Sequence, residues 1–173
     1  MQSYFANQSC DPFSDRSIPC LLGNYVSYSV KATEAEDVIS ALEFAKAENI
    51  RVLVRNTGHD FLGRSTGAGA LAIWTQSLKD ITVGDWSDEY YTGPAVTVGA
   101  GVMGNELLEA VHQQGVSVVS GECATVGLAG GFTQGGGHSV LSTEFGLAAD
   151  QTLSFQVRYS CHTGQGKPLI LSS

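Results

Sequence analysis

The stretch RNTGHDFLGRS spans Arg55–Ser65 and follows a short apolar run, Val52–Val54. Its two glycines let a ligand approach the backbone closely, because glycine carries no side chain. His59 lies between them, and an imidazole can hydrogen-bond or bond covalently to a cofactor at neutral pH. A loop that leaves the carboxyl end of a buried strand predicts a ligand site, because ligands of open α/β sheets bind there.

A second glycine-rich stretch, SGECATVG at Ser120–Gly127, follows the apolar run Val116–Val119 and continues to Gly137. It carries Cys123, and the thiolate of a cysteine is a competent nucleophile. Exposed backbone amides of glycine-rich loops bind phosphate groups. A His and a Cys on two such loops together predict a tethered dinucleotide cofactor, in the first place a flavin.

Length and charge exclude several classes of protein. The 173 residues suit one domain or a tight pair of subdomains. The formal net charge of -8, from 9 basic and 17 acidic residues, gives no sign of the basic patch that nucleic-acid binding needs. No apolar run reaches the ~18 residues of a membrane span, and no signal peptide opens the chain. We therefore expect no nucleic-acid partner and no membrane span, and the localisation stays open.

Residues 1–24 are polar and without periodicity, which predicts an N-terminal arm. Asn7-Gln8-Ser9 is a glycosylation sequon, and Cys10 and Cys20 lie close together in the sequence. This combination predicts a Cys10–Cys20 disulfide loop in an oxidising compartment. Two reduced thiols and a chance sequon are the alternative. Neither a zinc spacing nor a C-x-x-C motif is present, so no metal site is expected.

Hydrophobic periodicity predicts a first β-α-β unit. Tyr25–Val30 alternates and is rich in aromatic and β-branched residues, which indicates a strand. Thr33–Glu36 is a capping box, and the helix behind it ends near Asn49. Val52–Val54 is the second strand, so the loop with His59 leaves the end of this unit.

A second β-α-β unit is predicted from a strand at Ala95–Val98, a helix, and a strand at Val116–Val119 that leads to Cys123. Gly115 can end the helix. Residues 85–93 are predicted as a polar, turn-rich connection, and residues 158–173 as an atypical tail without regular pattern. Further strands are predicted at Leu71–Trp74, Ile81–Val83 and Leu153–Val157.

A Gly99-x-Gly101-x-x-Gly104 match follows a strand and opens a helix, and Glu122 lies where a ribose-binding acid would stand. This is the local signature of a Rossmann dinucleotide site. A tight strand-to-helix turn is the alternative, and a chain rich in glycine favours it. No P-loop sequence and no Gly-x-Ser-x-Gly sequence is present, which excludes a P-loop nucleotide site and an α/β-hydrolase nucleophile.

Over about residues 10–157 the chain resembles the vanillyl-alcohol-oxidase type of FAD-binding fold. Within it the sequence is most similar to the berberine-bridge-enzyme-like oxidoreductases, particularly those of fungal secondary metabolism. The segments that carry the resemblance are Arg55–Gly63, Gly99–Val102, Gly121–Gly127, Gly130–Gly131, Gly135–Gly137 and Phe145–Gln151.

The resemblance implies an α+β fold, a PCMH-type FAD-binding domain of two α/β subdomains at about 25–80 and 81–157. His59 would be joined to the 8α-methyl carbon of the flavin and Cys123 to its C6 carbon. Amides of Asn56, Thr57, Gly58, His59 and Asp60 would hold pyrophosphate, with Gly63 and Ser65 nearby. The second side of the cofactor would be lined by Gly121, Thr125, Gly127, Gly130, Gly131, Thr133 and Gly137.

The resemblance also implies an FAD-dependent oxidase that takes hydride from a small alcohol, amine or alkaloid-like metabolite and passes electrons to molecular oxygen. Family members carry a substrate domain, in which the catalytic base is expected, and usually a secretory signal. Neither is found in this sequence, so a truncated chain is expected. A truncated, non-catalytic flavin-binding fragment is therefore one alternative, and an NAD(P)-binding Rossmann dehydrogenase is another.

Overall fold

The computed structural model describes residues 13–157 and, as a strand, Leu169–Ser172. The described chain forms two compact units that divide between Thr75 and Gln76, five residues before the predicted boundary. Both units contain helix and strand, so the prediction of a mixed α and β fold is confirmed. Asn7 and Cys10 lie outside the described residues. Cys20 is disulfide-bonded, and its pairing with Cys10 stays a prediction.

The N-terminal unit is built on a three-stranded parallel sheet with the order β1–β3–β2. Its strands are β1 (Tyr28–Lys31), β2 (Arg51–Arg55) and β3 (Ala70–Trp74). The central strand β3 has the sequence ALAIW and is almost wholly buried, as expected for a strand with parallel neighbours on both sides. β1 begins three residues later than predicted, because Val26 N–H donates to Thr66 Oγ1 instead of entering the sheet.

Helix α1 (Ala35–Ala47) connects β1 to β2 and packs Ala41 and Ala45 into the core against β3. Its N-terminus differs from the prediction by one residue. Glu34 is the N-cap, and Asp37 rather than Glu36 closes the capping box. The reason is that Asp37 Oδ2 accepts hydrogen bonds from Thr33 N–H (2.8 Å) and from the Thr33 hydroxyl (2.9 Å). Asp37, whose side chain is one carbon shorter than that of the predicted Glu36, thus accepts the hydrogen bonds at the start of the helix.

The C-terminal unit begins with an antiparallel hairpin of β4 (Ile81–Ser87) and β5 (Thr92–Val98). The polar connection predicted over 85–93 is wrong in extent, because the strands continue through most of it. Only residues 88–91 form the turn. Asp88 closes this turn by accepting hydrogen bonds from the Trp86 indole N–H and from the N–H groups of Tyr90 and Tyr91. These bonds also hold the pKa of Asp88 below its ordinary value, the Trp86 bond most strongly.

Helix α2 (Gly104–His112) follows β5 and buries Leu107 and Val111 in a second core. Gly115 has a φ of 69° two residues after the C-cap, close to its predicted role. The predicted strand at Val116–Val119 is wrong: this segment has no regular secondary structure and no strand partner in the described chain. Val116 and Val118 are apolar because they pack against the core of α2. The segment predicted as the second β-α-β unit is therefore a β-hairpin followed by a helix.

A run of short elements follows: a π-helix (Leu128–Phe132), α3 (Ser142–Phe145), a 3-10 turn (Ala149–Gln151), and an antiparallel pair of β6 (Ser154–Val157) and β7 (Leu169–Ser172). Within the predicted atypical tail over 158–173, Leu169–Ser172 form the strand β7, which pairs with β6. Residues 158–168 lie outside the described chain. No helix among the described residues has the length and apolar character needed to cross a membrane.

Candidate functional site

The loop between β2 and β3 carries His59 and is fixed where it leaves the sheet. Thr75 N–H donates to the Arg55 carbonyl at 2.9 Å, and the Trp74 indole N–H donates to the Asn56 carbonyl at 3.0 Å. These bonds tie the start of the loop to the end of the central strand. The side chain of His59 is exposed beyond this fixed point. The prediction of a loop at the carboxyl end of the parallel sheet is confirmed.

A surface depression beside this loop brings together four of the predicted residues: Gly58, Asp60, Gly63 and Ser65. It is also lined by Tyr25, Arg55 and Thr66, which sequence reasoning did not select. Arg55 is the first residue of the glycine-rich stretch, and a cation at the start of such a loop was the available signal. Tyr25 and Thr66 carried no comparable signal, because only folding brings them to the depression.

Arg55 and Gly58 lie next to each other in the lining of this depression. Gly58 has a φ of 83°, and a methyl group on its Cα would lie 3.0 Å from Nη2 of Arg55. The guanidinium therefore lies against bare backbone. A planar guanidinium beside glycine amides suits a phosphate group, because both supply hydrogen-bond donors.

Asp60 closes the turn that follows His59. Its carboxylate accepts hydrogen bonds from Arg64 N–H (2.6 Å), Nε (2.9 Å) and Nη2 (2.5 Å). The side-chain bond from Arg64 is the main reason why the pKa of Asp60 lies below its ordinary value. A charged carboxylate repels phosphate, so any contact of Asp60 with pyrophosphate would come from its backbone N–H. Its side chain shapes the loop.

The Asp60→Asn variant tests this shaping role through its pH dependence. Because the folded pKa of Asp60 is lowered, the stability that its charge contributes is present above the ordinary carboxyl pKa of about 4. That stability is lost as the pH falls through the folded value. We expect the variant to unfold a few degrees below the wild-type chain at pH 7, and the difference to shrink towards zero as the pH falls through the lowered pKa of Asp60. Thermal unfolding by circular dichroism measures both, and a difference independent of pH would contradict the assignment.

Cys123 lies on an exposed turn of the C-terminal unit and forms no disulfide. Its Sγ is 4.0 Å from the Thr125 hydroxyl. The turn is closed by Val126 N–H, which donates to the Cys123 carbonyl at 3.2 Å. Gly127 continues from it and forms an isolated antiparallel bridge with Met103. The thiol is therefore accessible on a turn whose main chain is held on both sides.

The Gly99-x-Gly101-x-x-Gly104 match is a structural turn. The N–H groups that a Rossmann site would offer to pyrophosphate bond to the protein itself: Met103 to Glu106 Oε2 (2.8 Å), Gly104 to the Val126 carbonyl (3.0 Å) and Asn105 to the Ala124 carbonyl (3.0 Å). Gly99 is required because any side chain there would overlap the Leu78 carbonyl. This geometry removes the basis of the nicotinamide alternative.

The π-helix at Leu128–Phe132 presents bare backbone. A methyl group on Gly130 or Gly131 would meet no protein atom within 4 Å. The main chain of this segment is kinked at Gly130, whose φ of -111° and ψ of -127° are not helical. Open space beside two consecutive glycines fits close approach by a flat ligand such as a flavin, so the residues present suit the cofactor that the sequence predicts.

Three other predicted residues of the C-terminal unit face the protein interior. Thr133 is buried, and its hydroxyl donates to the Leu128 carbonyl at 2.5 Å. Methyl groups on Gly121 and Gly137 would lie 3.0 Å and 2.9 Å from the Phe132 ring. Phe132 fills the space that a side chain at Gly121 or Gly137 would need, and the Thr133 side chain is bonded to the segment Leu128–Phe132. A cofactor could therefore contact these three residues only at their main-chain atoms.

The predicted residues thus separate between the two units. The N-terminal unit holds Asn56, Thr57, Gly58, His59, Asp60, Gly63 and Ser65, and the C-terminal unit holds Gly121, Cys123, Thr125, Gly127, Gly130, Gly131, Thr133 and Gly137. Across residues 13–157, no group of three or more His, Cys, Asp or Glu side chains could hold a metal ion.

Comparison with known proteins identifies relatives over nearly the whole chain. The FAD-linked oxidoreductase ZEB1 of Gibberella zeae is 60% identical over 157 residues, which is 91% of this chain and 28% of that protein. The VAO-type flavoprotein oxidase VAO615 of Thermothelomyces thermophilus is 51% identical over 167 residues, 96% of this chain and 28% of that protein. The chain therefore spans less than a third of the length of these relatives.

A solved structure shows the same fold. The crystal structure of the VAO-type flavoprotein MtVAO615 from Myceliophthora thermophila C1 superposes with a TM-score of 0.89 at 46% identity, over 98% of this chain and 30% of that one. The predicted PCMH-type architecture agrees with this VAO-type neighbour. The family model described as FAD binding domain matches residues 26–162. The chain belongs to this family of FAD binding domains.

Proposed function

We propose that this chain is the flavin-binding part of an oxidase that takes hydride from a small alcohol, amine or alkaloid-like metabolite and passes the electrons to molecular oxygen. The observation that carries the proposal is the exposed His59 beside a depression that Arg55 and glycine backbone line. It is supported by membership of the FAD binding domain family and by relatives named FAD-linked oxidoreductases.

Each part of this surface has a distinct task in the proposal. The guanidinium of Arg55 and the amides around Gly58 bind the pyrophosphate, because they offer hydrogen-bond donors, while the Asp60 carboxylate in the same lining is already paired with Arg64. The bond between Asp60 and Arg64 keeps that loop in shape. The bare backbone of Gly130 and Gly131 lets a flat ring approach closely. Bound FAD would supply the hydride acceptor, which no amino-acid side chain can provide.

His59 and Cys123 hold the cofactor covalently in this proposal, through the 8α-methyl carbon and C6. Each bond forms when one hydrogen leaves the imidazole or thiol and one leaves the flavin carbon. Both hydrogens, with their electron pair, reduce oxygen to hydrogen peroxide. Two covalent tethers keep the cofactor in place and make its ring a stronger oxidant.

Acid precipitation of the purified chain tests the cofactor part of the proposal. We expect a yellow pellet with flavin absorption, and an intact mass equal to the chain plus one FAD. A colourless pellet with the bare mass of the chain would contradict covalent attachment. Oxygen consumption with a panel of small alcohols, amines and alkaloids then separates the oxidase from the alternative of a non-catalytic flavin-binding fragment. That fragment would carry flavin and consume no oxygen with any compound.

A further inference from the structure

The turn that carries Cys123 is hydrogen-bonded to the start of helix α2. Asn105 N–H donates to the Ala124 carbonyl and Gly104 N–H donates to the Val126 carbonyl, each at 3.0 Å. The two accepting carbonyls follow Cys123 by one and three residues. The first N–H groups of a helix have no partner within the helix, and here they bind the main chain of this turn. The position of Cys123 therefore depends on the position of the helix end.

Gly104 is the point of closest approach between the helix and this segment. A methyl group on its Cα would lie 2.9 Å from Oγ of the buried Ser120, and 3.7 Å from the carbonyl oxygens of Cys123 and Ala124. Its φ does not lie in the left-handed region, so the backbone conformation does not require glycine. Alanine is preferred over glycine within a helix by about 1 kcal/mol. Only the close contact with Ser120 explains the glycine.

The helix end itself cannot easily yield. Lys79 Nζ donates to the Gly101 carbonyl and to both carboxylate oxygens of Glu106, at 2.7 to 2.9 Å. Burial of Glu106 acts to raise its pKa, but bonds from Lys79 and Met103 outweigh it and hold the pKa below its ordinary value. A charged Glu106 thus fixes Met103 and the first turn. Extra volume at Gly104 must then be taken up first by Ser120, which is buried and lies three residues before Cys123.

We propose that Gly104 is a positioning residue for Cys123, which acts through Ser120 and the main chain of residues 123–126. The Gly-x-Gly-x-x-Gly turn thereby fixes the position of the Cys123 thiol and does not serve as a phosphate site. This inference rests on the proposed function, in which Cys123 bonds to the flavin.

The test compares three variants in the whole chain loaded with FAD. Gly104→Ala adds the methyl group. Asn105→Ala is the matched control. Asn105 is the next residue of the helix, its side chain is exposed, and the substitution retains its N–H bond to the Ala124 carbonyl. The double variant Gly104→Ala/Ser120→Ala removes the hydroxyl that the methyl group would meet. Peptide mass spectrometry measures the flavin on Cys123 and on His59 separately.

We expect Gly104→Ala to lower the fraction of Cys123 that carries flavin about tenfold, because the methyl group displaces Cys123 by only part of the ~1 Å misplacement that costs roughly a hundredfold in rate. Flavin on His59 should persist, Asn105→Ala should match the wild type, and the double variant should recover most of the Cys123 bond. Unchanged flavin on Cys123 in Gly104→Ala would overturn the inference. So would equal loss at both residues, which indicates unfolding, or failure of the double variant to recover.

A measurement without cofactor keeps this inference distinct from the proposed function. The rate at which iodoacetamide alkylates Cys123 depends on the exposure and the local environment of its thiol. We expect Gly104→Ala to change this rate in the flavin-free chain and the double variant to restore it, with similar thermal midpoints. If wild-type Cys123 carries no flavin, the second covalent bond is wrong, and the alkylation rates alone decide the positioning role. Identical rates in all variants would then overturn it.

Discussion

Replacing both His59 and Cys123 by alanine is expected to abolish every covalent bond to flavin. Acid precipitation should then give a colourless pellet of bare protein mass, whereas each single variant should keep one linkage. The physical reason is that each replacement removes the nucleophilic atom itself, so no slower route to the same bond remains. The readout is flavin absorption of the pellet together with the mass of flavin-bearing peptides.

Loss of colour in this double variant can be separated from unfolding. Both side chains are exposed, and exposed substitutions usually change the free energy of unfolding by less than about 0.5 kcal/mol. The thermal midpoint should therefore stay near that of the wild type. His112→Ala, an exposed histidine at the end of α2, is the matched control and should retain full colour. Colour that survives acid in the double variant would disprove the assignment of both tethers.

Gly99→Ala is expected to cause the largest loss of stability. Gly99 N–H donates to the Asp80 carbonyl at 2.7 Å, and Gly101 N–H donates to the Leu78 carbonyl at 2.8 Å. A methyl group on Gly99 would overlap the Leu78 carbonyl oxygen and lie 3.1 Å from the Asp80 nitrogen. These neighbours are main-chain atoms in a bonded turn, so they cannot rotate away as a side chain could.

Overpacking of this kind costs about 3 kcal/mol, which lowers the thermal midpoint of a chain this size by roughly 6 to 12 °C. Gly84→Ala is the matched control, because Gly84 lies in β4 with no atom within 4 Å of the added methyl group. It should change the free energy of unfolding by less than about 0.5 kcal/mol. Differential scanning calorimetry compares the two. Equal midpoints would show that the turn at Gly99 relaxes.

Elements with a local signal were predictable from the sequence. The apolar run of β3 and the periodic face of α2 identify these elements, because burial of neighbouring residues follows a fixed period. Val116–Val119 shows where this reasoning fails. Four residues rich in valine predict a strand, but a strand also needs a bonded partner, and the described chain offers none. Val116 and Val118 instead pack, partly buried, against the core beside α2.

The glycine-rich loops of the site likewise combine features that local sequence predicts with features that only tertiary contacts decide. Their composition alone predicted a cofactor-binding protein and proposed His59 and Cys123 as its two covalent tethers, because bare backbone and reactive atoms are properties of the residues themselves. The purpose of each glycine depends on what folds against it. Gly99 faces Leu78, Gly104 faces Ser120, and Gly130 faces open space. These contacts join residues distant in sequence, so tertiary packing alone separates glycines that support the fold from those left open to a ligand.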